Sequence, residues 1–199
     1  MIGIWHRSNL VTYLGVVVAC LGIALAGFAP GWPVLCLVVA GVCDLLDGAF
    51  ARRFERDEAT RAFGIQLDSL ADMVSFVALP AAVLLTSGLP WWAIAVVVGL
   101  YAIAGVTRLA YFNVTTDGTP RAYRGVPVTY AALALPLVWL ALALAHADPG
   151  VAWAIAMAVL AVLFVVDVRV PKPRGVAYVV FVVLAVLVGG GIVWVQVMS

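Results

Sequence analysis

Charge is scarce in this 199-residue chain: Lys, Arg, Asp and Glu make up 11% of it, where a soluble domain carries about 25%. Apolar residues make up 66%, and the mean hydropathy is +1.16. A water-soluble globule is therefore a poor description, and the first question is how often the chain crosses a bilayer. Cysteine is scarce as well. Cys20, Cys36 and Cys43 are odd in number, lie in apolar stretches, form no CxxC pair and have no metal-ligand spacing to a histidine. A disulfide framework and a Cys/His zinc site are excluded on that count, and the three read as small buried hydrophobes. Internal repeats, low-complexity tracts and a second domain are lacking, so residues 1–199 are expected to form a single integral membrane domain. The first apolar run is as long as a full span, and no small-residue cleavage site follows it. It is expected to be a retained helix rather than a removed signal. Net charge is +1, so bulk charge identifies no partner, and nucleic acid is not expected as one.

What is present in quantity is the long apolar run. A spanning helix needs about 20 such residues. Seven stretches qualify: Leu10 to Phe28, Trp32 to Ala51, Gly64 to Leu85, Trp91 to Phe112, Val126 to Ala145, Val151 to Val168, and Val176 to Val197. The breaks between them are turn-rich, as in Ala29-Pro30-Gly31 and Ser87-Gly88-Leu89-Pro90. Asp148 before Pro149 suits the start of the sixth helix. The expected fold is all-α, a polytopic membrane bundle of about seven helices, with six to eight as the range.

The basic residues then orient it. All eleven Lys and Arg fall before the first span (Arg7), between the second and third (Arg52, Arg53, Arg56, Arg61), at and after the end of the fourth (Arg108, Arg121, Arg124), and between the sixth and seventh (Arg169, Lys172, Arg174). The connections after spans one, three and five carry none. That alternation is the positive-inside pattern for a cytoplasmic N-terminus and an odd number of spans. Trp32, Trp91, Trp92, Trp153 and Trp194 lie near the outer span ends and read as an interfacial belt. His6 and His146 read as interfacial residues without partners. Gly189-Gly190-Gly191 permits close helix packing, either within the chain or in a dimer. Pro80 and Pro136 are expected to interrupt and kink their helices.

Four acids sit where acids are costly. Asp44 and Asp47 end the second span, and Asp68 and Asp72 open the third. The i, i+3 and i, i+4 spacings put each pair on one helix face. The two helices are joined by a short basic loop, so all four carboxylates can converge near the cytoplasmic interface. An ionised Asp in a span costs about 2.5 to 3.5 kcal/mol on insertion scales, so the group needs a compensating Arg or cation. Two divalent cations would balance four aspartates. Hard oxygen ligands without His or Cys favour Mg²⁺, Mn²⁺ or Ca²⁺ over zinc, and Mg²⁺ with open water positions suits a pyrophosphate. Gly48 leaves room for a phosphate beside the backbone, Arg52 can reach it from the same helix end, and Gly64 leaves space one turn before Asp68. The competing reading is a set of structural ion pairs with Arg52, Arg53 and Arg61.

The run Asp44-Leu-Leu-Asp47-Gly48-Ala-Phe-Ala51-Arg52, followed by Gly64-Ile-Gln-Leu-Asp68-Ser-Leu-Ala-Asp72, resembles the signature DxxDGxxAR…GxxxDxxxD of the CDP-alcohol phosphotransferases. The gap between Arg52 and Gly64 is longer than the family's usual one, which leaves the loop residue that contacts the nucleotide open; Thr60 is the candidate. Leu67 to Phe76, Arg108-Leu-Ala-Tyr-Phe-Asn113 and Arg124-Gly-Val-Pro127 resemble the phosphatidylserine synthase branch. Asn9-Leu-Val-Thr12 is similar to the family's N-terminal PNxxT element, with Ser8 in place of proline.

The resemblance implies transfer of a phosphatidyl group from CDP-diacylglycerol, or from CDP-archaeol, to L-serine, releasing CMP. It implies two divalent cations, Mg²⁺ or Mn²⁺, on Asp44, Asp47, Asp68 and Asp72, with Asp72 at the edge of the site as the base for the serine hydroxyl. Asn9, Thr12, Gly48, Ala51, Arg52, Thr60 and Gly64 are implied around the CDP, although Asn9 and Thr12 also suit capping of the first helix. Arg108 and Arg124 are on the correct side for the serine carboxylate, with Asn113 to orient it. Their alternative is a snorkelling interfacial charge, favoured for Arg169 and Lys172. Asp167 is expected to pair with Arg169. A homodimer in the bilayer of the cell membrane, its site facing the cytoplasm, is also implied. The rival readings are the same chemistry with glycerol 3-phosphate or inositol phosphate as acceptor, and an ion-coupled transporter. A transporter would place its acids near the midplane and show two related halves.

Overall fold

The structure is a computed structural model that describes residues 3–29, 31–115, 122–171 and 176–198, with residues 122–124, 169–171 and 176–177 described by backbone alone. Arg121, Lys172 and Arg174 lie outside the described residues, as do the side chains of Arg124 and Arg169. A 3₁₀ turn, Arg7–Asn9, leads into α1 (Leu10–Leu25) and then α2 (Gly31–Ala51). The third rod is composite. It joins α3 (Glu58–Asp72), a π-helical turn (Met73–Ala78) and α4 (Leu79–Leu85). Then follow α5 (Trp91–Thr115), α6 (Ala131–Leu144) behind the 3₁₀ turn Val128–Tyr130, α7 (Gly150–Val165) and α8 (Val176–Met198). These seven rods coincide with the seven apolar stretches. Five are long and apolar enough to cross a membrane; Val128–Leu144 and Gly150–Val165 are apolar but shorter. The chain is a multi-pass helical membrane protein.

Boundaries shift where polar chemistry outlasts the apolar pattern. The third rod starts at Glu58 rather than Gly64, because Asp57 caps it. Its Oδ1 accepts the Thr60 N–H at 2.8 Å. The Thr60 hydroxyl and N–H together hold the exposed Asp57 carboxyl below the ordinary carboxylate range. At the other end of the bundle the Asp148 carboxylate accepts the Gly150 N–H at 2.8 Å and starts α7, as expected. His146 follows α6 with φ 54°, the only positive φ outside glycine among the described residues. Ala147 N–H bonds Leu142 O and His146 N–H bonds Ala143 O, which is a Schellman stop.

α2 is the hub, packed on α1, α6 and α8, while α5 packs on α7. The core runs through Val34 and Leu37 of α2, Phe76, Leu79, Tyr101, Leu135, Met157 and Phe164. Val17, Leu21, Val96, Leu100, Ile103 and Val186 are exposed on outward faces, as a lipid-facing surface requires. A two-stranded antiparallel ladder, β1 (Ala122–Arg124) with β2 (Arg169–Pro171), ties the α5–α6 connection to the α7–α8 connection. Two of the basic connections therefore lie at the same end of the bundle.

Several expectations are corrected. Trp153 is not a belt residue: it is 1% exposed, and its indole N–H donates to Pro80 O at 3.1 Å. Trp32, Trp91, Trp92 and Trp194 are exposed, as a belt requires. Cys43 is buried but Cys20 is exposed on α1. His6 has a partner, because its Nδ1 accepts the Ser8 N–H at 3.2 Å and starts the first 3₁₀ turn. Pro136 lies inside α6 without ending it. Of the three glycines in α8, Gly189 faces Leu35 and Gly191 faces Leu140 within the chain, and only Gly190 has open space.

Gly41 marks the tightest crossing near the site. A Cβ there would lie 2.5 Å from the Ala132 Cβ, which cannot swing aside. Gly41→Val is expected to force α2 from α6 and cost about 1–3 kcal/mol. A thermal melt of the purified chain checks this; an unchanged melting temperature contradicts the close packing.

Candidate active site

The acids converge. Asp44 and Asp47 project from the last turns of α2, and Asp68 and Asp72 from the end of α3, on one face because of their spacing. Carboxylate oxygens of Asp44, Asp68 and Asp72 all lie within 4.8 Å of one another. Asp47 is set to the side, touching Asp68, while Asp44 touches Asp72. The tight triple thus includes Asp72, which the sequence reading put at the edge, and Asp47 is the outer member. Asp72 is 8% exposed. The Arg52 charge bears on Asp47, and Arg108 lines the same cleft as the four acids.

Thr12 completes this group. Its hydroxyl donates to Asp47 Oδ2 at 3.0 Å, bringing α1 onto the cluster. Capping of α1 is excluded for both N-terminal candidates. Asn9 makes no side-chain cap bond; it is 3% exposed and accepts the Ser8 hydroxyl at 3.1 Å. A Cβ added to Gly64 would lie 3.6 Å from Asn9 Oδ1 and 3.9 Å from an Arg56 guanidinium nitrogen. Asn9, Gly64 and Arg56 therefore form a second group, on the loop side of the acids. Thr60 lies one turn before Gly64 on the row Thr60, Gly64, Asp68, Asp72, and it is bound to Asp57.

A cleft of about 300 Å³ lies over the cluster, within the range that holds small ligands. Asp44, Asp47, Asp68 and Asp72 line it together with Gly48, Arg52, Arg108, Phe112, Tyr130 and Tyr178. A Cβ on Gly48 would come 3.5 Å from an Arg52 guanidinium nitrogen, so the side chain folds back over the glycine. Ala51 closes α2 and is not among the lining residues. An apolar crevice of about 70 Å³ leads from Asp44 and Thr129 between α2, α6 and α8, past Gly41, Leu133 and Phe181.

Arg108 is not a snorkelling charge. It is 5% exposed, its Nε and a terminal nitrogen donate to Val126 O and Gly125 O at 3.3 and 3.4 Å, and it lies over the Phe112 ring at 5.6 Å. Gly125 has φ +74°, and a Cβ there would meet Phe164 O at 2.7 Å, so this loop admits only glycine. Asn113 accepts the Ser69 hydroxyl at 3.1 Å and fastens α5 to α3 beside Asp68, outside the cleft lining. Arg124 lies in β1, immediately before the two residues whose carbonyls hold Arg108, and its side chain is outside the described residues. The expected Asp167–Arg169 pair is likewise outside them. Asp167 lines a second cavity of about 280 Å³, which Arg108 and Tyr111 share.

Tyr130, Tyr178, Phe112 and Arg56 were not singled out from the sequence. Phe112 lies inside the Arg108–Asn113 stretch and could have been. Tyr178 on α8 had no local signal, because only the packing of α8 on α2 carries it to the cleft.

A divalent cation fits what is here. Three carboxylate oxygens within 4.8 Å repel one another unless a proton or a positive ion sits among them. The donors are all hard oxygens on two rigid helices, which suits Mg²⁺-type ions. Asp44 and Asp47 lie in the last turns of α2, while Asp68 and Asp72 lie within the third rod, whose first turns follow the basic loop.

Comparison with known proteins agrees with this geometry. The profile of the CDP-alcohol phosphatidyltransferase family matches residues 5–166. The chain is 40% identical over 110 residues to the CDP-diacylglycerol–serine O-phosphatidyltransferase of Mycobacterium bovis, covering 52% of this chain and 37% of that one. It is 34% identical over 125 residues to the enzyme of that name from Saccharomyces cerevisiae, covering 58% and 44%. It is 33% identical over 105 residues to the archaetidylserine synthase of Methanothermobacter thermautotrophicus, covering 52% and 44%. The matches thus span less than half of each relative's length. Because that family profile covers most of its length, the chain belongs to the CDP-alcohol phosphatidyltransferase family.

Proposed function

We propose that this protein transfers a phosphatidyl group from CDP-diacylglycerol, or its archaeal ether counterpart, to L-serine, giving phosphatidylserine and CMP. The observation that carries this reading is the convergence of four carboxylates beneath one cleft that also holds Arg52 and Arg108. The serine phosphatidyltransferase and archaetidylserine synthase relatives support serine as acceptor.

Asp44, Asp47, Asp68 and Asp72 would hold two divalent cations, Mg²⁺ or Mn²⁺, which when bound neutralise a pyrophosphate and its leaving group. The chain's own residues do the rest. Gly48 lets a phosphate approach the end of α2, and Arg52 donates to it from one turn on. Asn9 and Gly64 leave a polar recess for the nucleotide. Thr60, held by Asp57, contributes by shaping the first turn of α3 rather than by a free hydroxyl. Ala51 keeps the end of α2 narrow. The acyl chains follow the crevice past Gly41 and Leu133 towards the lipid. Arg108, with Arg124 and Asn113 nearby, receives the carboxylate of the acceptor.

In the reaction the serine oxygen attacks the phosphorus that carries the diacylglycerol. A new P–O bond forms, the bond to CMP breaks, and the hydroxyl proton passes to the Asp72 carboxylate, which needs reach more than basicity. The site faces the cytoplasm, the membrane is the cell membrane, and residues 1–199 act as one domain. A homodimer, as the resemblance implies, belongs to this proposal; light scattering of the solubilised chain reads it.

Three outcomes are expected. Membranes given a labelled CDP-lipid and a panel of alcohols should form product with L-serine, and product only with glycerol 3-phosphate or inositol phosphate would overturn the acceptor. Asp72→Asn should lower CMP release by about 10²- to 10⁴-fold, the size of a lost general base, with the chain still folded by thermal melt; near-native release would remove Asp72 from that role. Chelation should abolish CMP release, and Mg²⁺ or Mn²⁺ should restore it; release that ignores the chelator contradicts the cation reading.

A further inference from the structure

The third rod is not a continuous α-helix, and its irregular part begins at the residue after Asp72. Met73–Ala78 is π-helical, with the Leu79 N–H reaching back to Val74 O. A π turn inserts one residue into the helical repeat, so the segments on either side are offset by about 100° relative to an unbroken helix. α4 is fixed in the core by Leu79 and Leu84, both fully buried. The offset therefore decides which way the Asp68 and Asp72 carboxylates point relative to that anchor.

Pro80 explains why the irregularity is here. It has no N–H for the carbonyl four residues earlier, that of Phe76, and its ring crowds that carbonyl. A buried carbonyl without a donor is costly. The structure supplies one from another helix: the Tyr101 hydroxyl of α5 donates to Phe76 O at 2.8 Å, with Tyr101 0% exposed. The Pro80 carbonyl is met in turn by the Trp153 indole of α7 at 3.1 Å. Ser75 and Phe76 of the turn also wall the small space beneath Asp44, Asp47, Asp68 and Asp72. The locked turn and the acid cluster are one continuous piece of structure.

We propose that Tyr101 is a positioning residue for the acid cluster. By binding the carbonyl that Pro80 leaves without a donor, it holds the π turn whose offset aims Asp68 and Asp72 at Asp44. Trp153 pins the start of α4, just beyond the turn, through Pro80 O. Tyr101 touches no substrate and lies outside the cleft lining. This inference rests on the reading of the cluster as a cation site.

The test uses the purified full chain and Mn²⁺ alone, read by the rise in melting temperature, with CMP release measured alongside. In Tyr101→Phe the Mn²⁺ concentration giving half the rise should increase by about tenfold, the low end of what losing an outer contact of a metal site costs. CMP release at saturating lipid should fall with it. Adding Pro80→Ala supplies the missing N–H. The double variant should regain the Mn²⁺-free melting temperature but not the Mn²⁺ response, because the α-helical repeat then competes with the π turn. A Tyr101→Phe chain with the native Mn²⁺ response, or a double variant that regains both properties, makes the hydroxyl merely structural and overturns the proposal. Should Tyr101→Phe not fold, Trp153→Phe should weaken the Mn²⁺ response in the same direction, and an unchanged response there overturns it. A wild-type chain that ignores Mn²⁺ defeats the cation reading itself, which is distinguishable from a wild type that responds beside variants that respond equally.

Discussion

Holding several negative charges between two apolar helices is the constraint that organises this molecule. Bringing carboxylates of Asp44, Asp68 and Asp72 within 4.8 Å is unfavourable in a medium of low dielectric unless positive charge is supplied. Most features around the cluster answer that constraint. Thr12 donates to Asp47, Arg52 lies over Gly48 where its charge reaches the same carboxylate, and a cleft opens above the acids. The two helices that carry the acids are joined by a short basic connection. If the cluster holds cations as proposed, their binding and the stability of the fold are coupled.

In the proposed reaction the nucleotide diphosphate enters from water while the acyl chains remain in lipid. The cleft over the acids and the apolar crevice past Gly41 and Leu133 share Asp44 and Thr129. The two spaces are therefore continuous at those residues. Arg108, buried and held by the carbonyls of Gly125 and Val126, gives the far side of the cleft a fixed positive charge. The Gly125 turn and the β1–β2 ladder set that loop in place.

What the sequence made legible was local. Asp44 with Asp47 and Asp68 with Asp72 are paired by helical spacing, and a short loop makes their helices neighbours, so convergence followed from the chain alone. The apolar runs set the seven rods, and the scarcity of charge elsewhere made the basic loops readable. What escaped depended on tertiary contact. Thr12 lies 35 positions from Asp47, and its hydroxyl could equally have capped α1. Trp153 has the position of a belt residue, and only the packing of α7 on α4 shows that its indole serves Pro80. The π turn has a sequence cue in Pro80, but that cue says only that a hydrogen bond is lost, not how the helix absorbs the loss. Thr60 was read from a lengthened loop; the structure makes that stretch the first turn of α3, because Asp57 can cap it.

Manganese is paramagnetic, and its binding to the purified chain can be counted directly by the loss of the free-ion signal. With CDP present, two ions per wild-type chain are expected, and fewer when Asp44 or Asp68 is replaced by alanine. Ions bound in undiminished number by those variants, or none bound by the wild type, would contradict the central claim that these carboxylates meet in order to hold cations.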